Sequence, residues 1–150
     1  MSDLRELYQE VILDHSKHPK NYYKMEDATH IAEGFNPLCG DHFYLYLKVE
    51  DGIIKDISFE GAGCAISKAS ASIMTSMVKG KTVEEAEKIF KDFHLFVTGK
   101  ADKNFDPNSL GKLAVFSGVS EYPVRVKCAT LAWHTLINAI KNKKEVASTE

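Results

Sequence analysis

The sequence predicts an α+β protein: a small three-stranded antiparallel sheet packed with about five helices. Three observations favour this fold class. The chain opens with helical periodicity, two segments rich in aromatic and β-branched residues then flank an Asp51-Gly52 turn, and helix-compatible segments follow. With 150 residues the chain has the length of a single domain. We expect only its polar end, residues 143–150, to be disordered.

The first helix is predicted from apolar residues that recur every three or four positions between Leu4 and Ile12. Pro19 closes the pattern, since proline is not tolerated in a helix interior. His15 and His18 then lie near the end of this helix, where the helix dipole favours a partly cationic ring.

The sheet is predicted from two neighbouring segments, residues 43–50 and 53–60, which are rich in aromatic and β-branched residues. Asp51-Gly52 between them is the strongest short signal for a β-hairpin, because both positions of that turn need a positive φ. A weaker strand pattern covers residues 30–35, which gives three antiparallel strands.

Four further helical segments follow the sheet. Their limits are indicated by Gly80 after residues 65–79, a capping box of Thr82 and Glu85 before the second, Pro107 and Gly118 around the third, and Pro123 in the first turn of the last. We expect the last helix to bury a face made of Val124, Leu131, Ala132 and Ala139.

Charge and hydropathy exclude several classes of partner. The chain carries 19 basic and 21 acidic residues, a formal charge of -2, so it has no overall attraction for nucleic acid or anionic membrane. No apolar run approaches the roughly 20 residues of a membrane span. The N-terminus has neither the basic start nor the apolar stretch of a secretory signal. We therefore predict a soluble, cytoplasmic protein.

Three cysteines are the candidate functional residues. An odd number cannot be paired fully within one chain, and in a reducing compartment thiols are more often metal ligands, nucleophiles or core residues than bridges. Free cysteine is often a plain core residue, but Cys39 and Cys64 are flanked by glycine, which leaves little packing volume around the sulfur. Cys39 also precedes a carboxylate, Asp41, by two residues.

Each cysteine is predicted to lie in a setting that favours a thiolate. Cys39 lies in a turn between strands, and Cys64 lies at the start of a helix, where free backbone N–H groups and the helix dipole stabilise negative charge. Cys128 lies about one turn into the last helix, on the same face as Arg125. The three positions are far apart in sequence, so only the tertiary fold could bring them together, and their spacing matches no zinc finger.

Three motifs, NPLCGD, GAGCAIS and RVKCATLAWHTL, resemble the cysteine motifs of iron-sulfur cluster assembly proteins of the SufU/IscU type, which are NifU N-terminal-like. The similarity extends from about Leu7 to about Ala139. The chain is more similar to SufU than to IscU, because the long segment 81–118 separates the second and third motifs. Lys127 also stands where IscU-type proteins carry a histidine, and residues 121–125 replace the chaperone-recognition stretch of IscU.

The resemblance implies a zinc site made of Cys39, Asp41, Cys64 and Cys128. It also implies a sulfurtransferase role, in which Cys39 accepts persulfide sulfur from a SufS-like cysteine desulfurase for downstream Suf scaffold proteins. Three thiolates and one carboxylate complete a tetrahedral zinc set with a formal charge of -2. Arg125 is the candidate cation that donates to a ligand sulfur.

Two other functions remain open on the sequence. The same residues could serve as a scaffold for a transient 2Fe-2S cluster, because thiolates also bind iron-sulfur centres. They could also form a zinc-stabilised interaction module with no sulfur chemistry. Lys127 in place of histidine favours the sulfurtransferase over the scaffold. We expect His42 and His134 to point away from the site, His42 because neighbouring residues of a strand face opposite sides.

Overall fold

The computed structural model describes residues 2–142 and 147–148. Its helices are α1 (Ser2–Lys17), α2 (Ala65–Val78), α3 (Val83–Val97) and α4 (Pro123–Ile140), with 3₁₀ segments at Pro107–Phe116 and Val119–Glu121. Its strands are β1 (His30–Asn36), β2 (Asp41–Glu50), β3 (Ile53–Ala62) and β4 (Ala147–Ser148). The predicted α+β class, with a three-stranded antiparallel sheet and helices, is confirmed.

The strands lie in the order β3-β2-β1-β4. β1 pairs antiparallel with β2, ending at the pair Asn36 and Asp41, and β2 pairs antiparallel with β3. The predicted hairpin turn is present, with φ values of 52° at Asp51 and 74° at Gly52. The sheet gains a short parallel strand, β4, which pairs beside Gly34 and Phe35. Residues 143–146 and 149–150 of the tail that we expected to be disordered lie outside the described residues.

Helix α4 packs on β1 and β2, and α2 packs against both α1 and α4. Gly34 permits the close approach of α4 to β1, because a Cβ atom at this position would overlap Oγ1 of Thr135. The core between the layers is aromatic and aliphatic; its largest fully buried side chains include Trp133, Phe43, Phe59, Phe93, Phe116, Leu45, Leu47, Ile54 and Ile57. This packing fixes the position of α4 relative to the C-terminal end of β1.

Two expectations about individual side chains are wrong. Val124 is 48% exposed, because the first turn of α4 is exposed and the helix becomes buried only from Cys128 onward. His15 is buried, and a hydrogen bond of 2.7 Å joins its Nδ1 to Oγ of Ser72, which also accepts one from the Lys20 N–H. Burial lowers the pKa of His15, which disfavours the partly cationic ring that we expected there.

Within the part of the chain that the structure describes, no helix combines the length and apolar character needed to cross a membrane.

Candidate metal centre

Cys39 lies in the four-residue turn that joins β1 to β2, as predicted from the sequence. Its N–H donates a 3.3 Å hydrogen bond to the backbone oxygen of Asn36, and the side-chain oxygen of Asn36 accepts another, also 3.3 Å, from the Leu38 N–H. Gly40 follows with a φ of 70°, a conformation that glycine adopts without strain. The turn therefore presents a part-exposed thiol next to the first residue of β2, Asp41.

Cys64 is the N-cap residue of α2. Its sulfur accepts a hydrogen bond of 3.4 Å from the N–H of Ser67, as a serine or aspartate oxygen does at most helix starts. Gly63 before it has no room for a side chain: a Cβ atom there would lie 2.7 Å from the Phe43 ring and 3.0 Å from Oδ1 of Asp41. The prediction that Cys64 begins a helix is confirmed.

Cys128 lies in α4 at the point where the helix becomes buried, and it is 3% exposed. The packing of α4 on β1 brings its sulfur to 3.1 Å from the sulfur of Cys39. Asn36 Nδ2 also points to the sulfur of Cys128, at a distance of 3.8 Å. Two thiols separated by 89 positions in sequence are thus in direct contact.

A ligand atom from each of Cys39, Asp41 and Cys128 lies within 4.8 Å of the other two. Ligand atoms around tetrahedral zinc are about 3.8 Å apart, given Zn–S bonds of about 2.3 Å, so this spacing suits such a metal. Cys64 does not meet the same distance limit to all three residues, but its backbone N–H donates a 2.9 Å hydrogen bond to one of them, Asp41. It therefore lies at the edge of the cluster.

Asp41 is fully buried, and both of its carboxylate oxygens have hydrogen-bond donors. Oδ1 accepts from the Cys64 N–H at 2.9 Å, and Oδ2 accepts from Asn36 Nδ2 at 3.2 Å. The carboxylate thus links the β1–β2 turn to the start of α2. A buried charge of this kind is held in place by its partners.

The thiols share protons unequally. The hydrogen bond from Cys128, together with those from Ser67, lowers the pKa of Cys64 to about 6. The hydrogen bond to Cys64 raises the pKa of Cys128, and burial raises it further. The two shifts have opposite directions, so the surroundings favour a negative charge on Cys64 over one on Cys128.

Arg125 does not contact the cluster. Its guanidinium lies over the Tyr122 ring, 4.3 Å from the ring centroid, and no hydrogen bond within residues 2–142 and 147–148 joins it to a cysteine sulfur. Arg125 and Cys128 are three residues apart, but Arg125 lies in the exposed first turn of α4. Among the described residues, the donors that reach the site include the uncharged Asn36 amide and the backbone N–H groups of Cys64 and Ser67.

Asn36 is the residue that the sequence interpretation missed. It stands three positions before Cys39 within the NPLCGD motif, as the last residue of β1, and that position was the available signal. His42 and His134, by contrast, lie where expected. His42 is hydrogen-bonded to Glu33, while its neighbour Asp41 is buried, and the His134 ring packs against Phe90.

The chemistry of the donor set fits zinc. Thiolate sulfur is a soft donor that zinc prefers, a carboxylate is an accepted fourth ligand, and four protein donors leave a closed tetrahedral site. The donors come from the β1–β2 turn, β2, the start of α2, and α4. Only the folded chain can assemble such a set.

Fold and site together define a small α+β protein with a cysteine-rich candidate metal centre. The chain belongs to the family described as NifU-like N terminal domain, whose model matches residues 7–129. The resemblance to SufU/IscU-type proteins that the three motifs indicated is thereby confirmed.

Similar proteins are named either as cluster assembly scaffolds or as a sulfurtransferase. The chain is 46% identical to an iron-sulfur cluster assembly scaffold protein IscU of Thermotoga maritima, over 90% of this chain and 93% of the relative. It is 40% identical to the zinc-dependent sulfurtransferase SufU of Bacillus subtilis, over 95% of each. A crystal structure of a candidate SUF-system scaffold from Fervidobacterium islandicum matches with a TM-score of 0.82 and 42% identity, over 90% of this chain and 97% of the other.

Proposed function

We propose that this protein works in iron-sulfur cluster assembly as a zinc-dependent sulfurtransferase that accepts sulfur from a cysteine desulfurase on Cys39. One observation carries the proposal: the sulfur of the part-exposed turn residue Cys39 contacts that of Cys128, which is buried in α4. Cys39 is thus accessible on a turn, whereas Cys64, which is also part-exposed, is fixed as the N-cap of α2, and Cys128 is buried within α4. The 40% identical SufU of Bacillus subtilis, named a zinc-dependent sulfurtransferase, supports the same function.

Cys39, Asp41, Cys64 and Cys128 would hold the zinc ion. A bound zinc ion keeps its thiol ligands deprotonated and shields them from oxidation. Asp41 is held by its two hydrogen bonds and Cys128 by the packing of α4. Cys39 lies in the turn between β1 and β2, outside any helix or strand, so it is the thiol that is released to react.

The proposed transfer is a thiol exchange. The Cys39 thiolate attacks the terminal sulfur of the desulfurase persulfide, and a sulfur–sulfur bond forms on Cys39. The sulfur–sulfur bond of the desulfurase breaks, and its electron pair returns to the desulfurase cysteine as a thiolate. One persulfide replaces another, so the step needs no oxidant or reductant. The Cys39 persulfide then serves downstream Suf scaffold proteins in the cytoplasm.

Arg125 has no step in this proposal. Its contact with Tyr122 leaves the uncharged donors Asn36, Cys64 N–H and Ser67 N–H as the groups that face the cluster.

The test is a reaction with a SufS-like cysteine desulfurase and free cysteine. The protein should raise alanine production and gain one sulfur, found by mass spectrometry on Cys39. Cys39→Ser should abolish both effects, whereas His18→Gln, at an exposed position beyond α1, should change neither. Sulfur found only on Cys128, with Cys39→Ser still active, would transfer the role to α4. No sulfur on any cysteine would overturn the proposal.

A scaffold function is the second candidate, and the 46% identity to the IscU scaffold of Thermotoga maritima favours it. In that case a 2Fe-2S cluster is the cargo, held by the same thiols. Anaerobic incubation with iron, cysteine and the desulfurase separates the two functions. A stable visible absorbance from a bound cluster, transferable to an apo-ferredoxin, would favour the scaffold; persulfide formation without bound cluster would favour the sulfurtransferase.

A further inference from the structure

Asn36 directs its side-chain N–H donors at the candidate metal centre and its oxygens at the turn that carries Cys39. The residue is fully buried at the end of β1. Its Nδ2 group donates to Oδ2 of Asp41 at 3.2 Å and points at the sulfur of Cys128 at 3.8 Å. Its Oδ1 accepts from the Leu38 N–H, and its backbone oxygen accepts from the Cys39 N–H.

The two ends of this amide serve different parts of the site. The nitrogen end touches two groups that are fixed by packing, the carboxylate of Asp41 and the sulfur of Cys128. The oxygen end and the backbone oxygen touch the turn that carries Cys39. A carboxamide has two N–H donors and an acceptor, so a single Asn36 side chain is able to satisfy all three partners.

The uncharged amide suits its position between two acceptors. Asp41 and a deprotonated Cys128 repel each other, and a donor shared between them offsets part of this repulsion in a buried site. A carboxylate at position 36 would add a third anion instead. Arg125 supplies no such donor, since it lies over Tyr122.

We infer that Asn36 is a positioning residue for sulfur transfer: it holds Asp41 and Cys128 in place through its N–H donors and holds the turn through its oxygens, so that Cys39 is the thiol released. The inference rests on the proposed function, and it adds a residue that is not itself a metal ligand. It predicts that loss of the Asn36 donors loosens the fixed ligands and removes the preference for Cys39.

The first measurement is the rate at which zinc-loaded protein releases its metal to a chelator. Asn36→Ala should release zinc about 10- to 100-fold faster than the wild-type protein, the usual range for groups that orient metal ligands. Asn36→Asp keeps the acceptor for the turn but lacks the N–H donors, so it should release zinc at least as fast. Thr75→Val is the matched control, because Thr75 is a buried hydrogen-bonding residue of α2 whose partners are Asn21, Lys20 and Ser72.

The second measurement separates positioning from general loss of stability. Brief alkylation of zinc-loaded wild-type protein with iodoacetamide should modify Cys39 first, whereas both Asn36 variants should show Cys128 modified alongside it. Cobalt(II)-loaded Asn36→Ala should also show altered thiolate-to-metal absorption bands. A double variant with Asp41→Ala tests the route, since the effect of Asn36→Ala on zinc release should shrink when its carboxylate partner is absent.

Each result has a defined meaning. Wild-type rates and a wild-type alkylation order in both Asn36 variants would overturn the inference. Failure of both variants to fold, with Thr75→Val folded, would also overturn it, because Asn36 would then be a folding residue. Failure of the wild-type protein to bind zinc at all would instead overturn the proposed function, and the inference with it.

Discussion

The backbone N–H of Cys64 donates a 2.9 Å hydrogen bond to Oδ1 of Asp41, so the residue that caps α2 also anchors the carboxylate at the start of β2. Asp41, the candidate oxygen ligand, therefore also connects the elements that form the site through hydrogen bonds. It is fully buried, with Asn36 on its second oxygen.

Replacing Asp41 should weaken metal binding while leaving the domain folded. Asp41→Ala removes the oxygen donor, opens one coordination position and should speed metal exchange. It also leaves the Cys64 N–H and the Asn36 amide without an acceptor, at a cost of about 1–3 kcal/mol for each buried group. Chemical denaturation of the zinc-free protein measures this cost, and chelator competition measures the exchange.

Cys128→Ser is the comparison for Asp41→Ala, because it removes a sulfur that is buried in α4. If both variants lost zinc to the same extent, the carboxylate would be as essential as the thiol, and the expectation of an exchangeable oxygen ligand would fail. Asp41→Asn keeps the side-chain size and one acceptor, so it should restore much of the stability that Asp41→Ala loses.

Substitutions of Cys64 should separate capping from metal binding. Serine is a good N-cap residue, so Cys64→Ser should retain the hydrogen bond from the Ser67 N–H and the stability of α2. Cys64→Ala should lose both the cap and the thiolate, at about 1 kcal/mol of stability relative to Cys64→Ser. Both variants should bind zinc more weakly than the wild-type protein. Equal stability of the zinc-free variants would show that the cap contributes nothing.

Gly63→Ala should damage the site through steric overlap. Its added Cβ would lie 2.5 Å from Ser67 Oγ and 3.0 Å from Asp41 Oδ1, so these groups must shift. We expect zinc affinity to fall by about 10- to 100-fold, as measured by chelator competition. Gly52→Ala is the control: it has open space around it and a φ of 74°, so it should cost about 1 kcal/mol of stability and leave zinc affinity unchanged.

His15 should make stability depend on pH below about 6.5. Burial, and then the nearby charge of Lys112, lowers its pKa in the folded protein. Above the unfolded pKa the ring is neutral in both states, and its contribution to stability is complete. As the pH falls below that value, the unfolded chain takes up a proton that the folded protein does not, so stability is lost by up to about 1.4 kcal/mol per pH unit.

Denaturation of wild-type and His15→Gln protein between pH 7.5 and pH 5 measures this contribution, because only the difference in slope belongs to His15. His18→Gln is the control, since His18 is exposed near the same end of α1. Parallel pH profiles for the wild-type and His15→Gln proteins would contradict the prediction.

The elements that the sequence predicted well have strong local signals. The Asp51-Gly52 turn, the Thr82–Glu85 capping box and Pro123 each fix a boundary through backbone chemistry that does not depend on distant contacts. The strand β4 carries no such signal. It consists of only Ala147 and Ser148, and its position depends on backbone pairing with β1, which is distant in sequence.

The candidate site was predictable in its cysteines and less so in its surroundings. Cys39, Asp41 and Cys128 were identified by residue type and by a family resemblance, and the structure brings them together. Asn36 was missed because its role depends on the direction of one buried side chain. Arg125 was placed near the sulfur because it shares a helix with Cys128, but the contact with Tyr122 draws its guanidinium elsewhere. Sequence spacing gives proximity along an element and not the direction of a flexible side chain.

The contact between Gly34 and Thr135 acts as a pivot for the last helix. Thr135 is seven residues from Cys128, which corresponds to about 10 Å along a helix axis. A larger residue at position 34 would push α4 away at the pivot, and a tilt of a few degrees over that distance displaces the Cys128 sulfur by a substantial fraction of an ångström. The geometry of the metal centre thus depends partly on Gly34, a residue without a side chain that is not one of the candidate ligands.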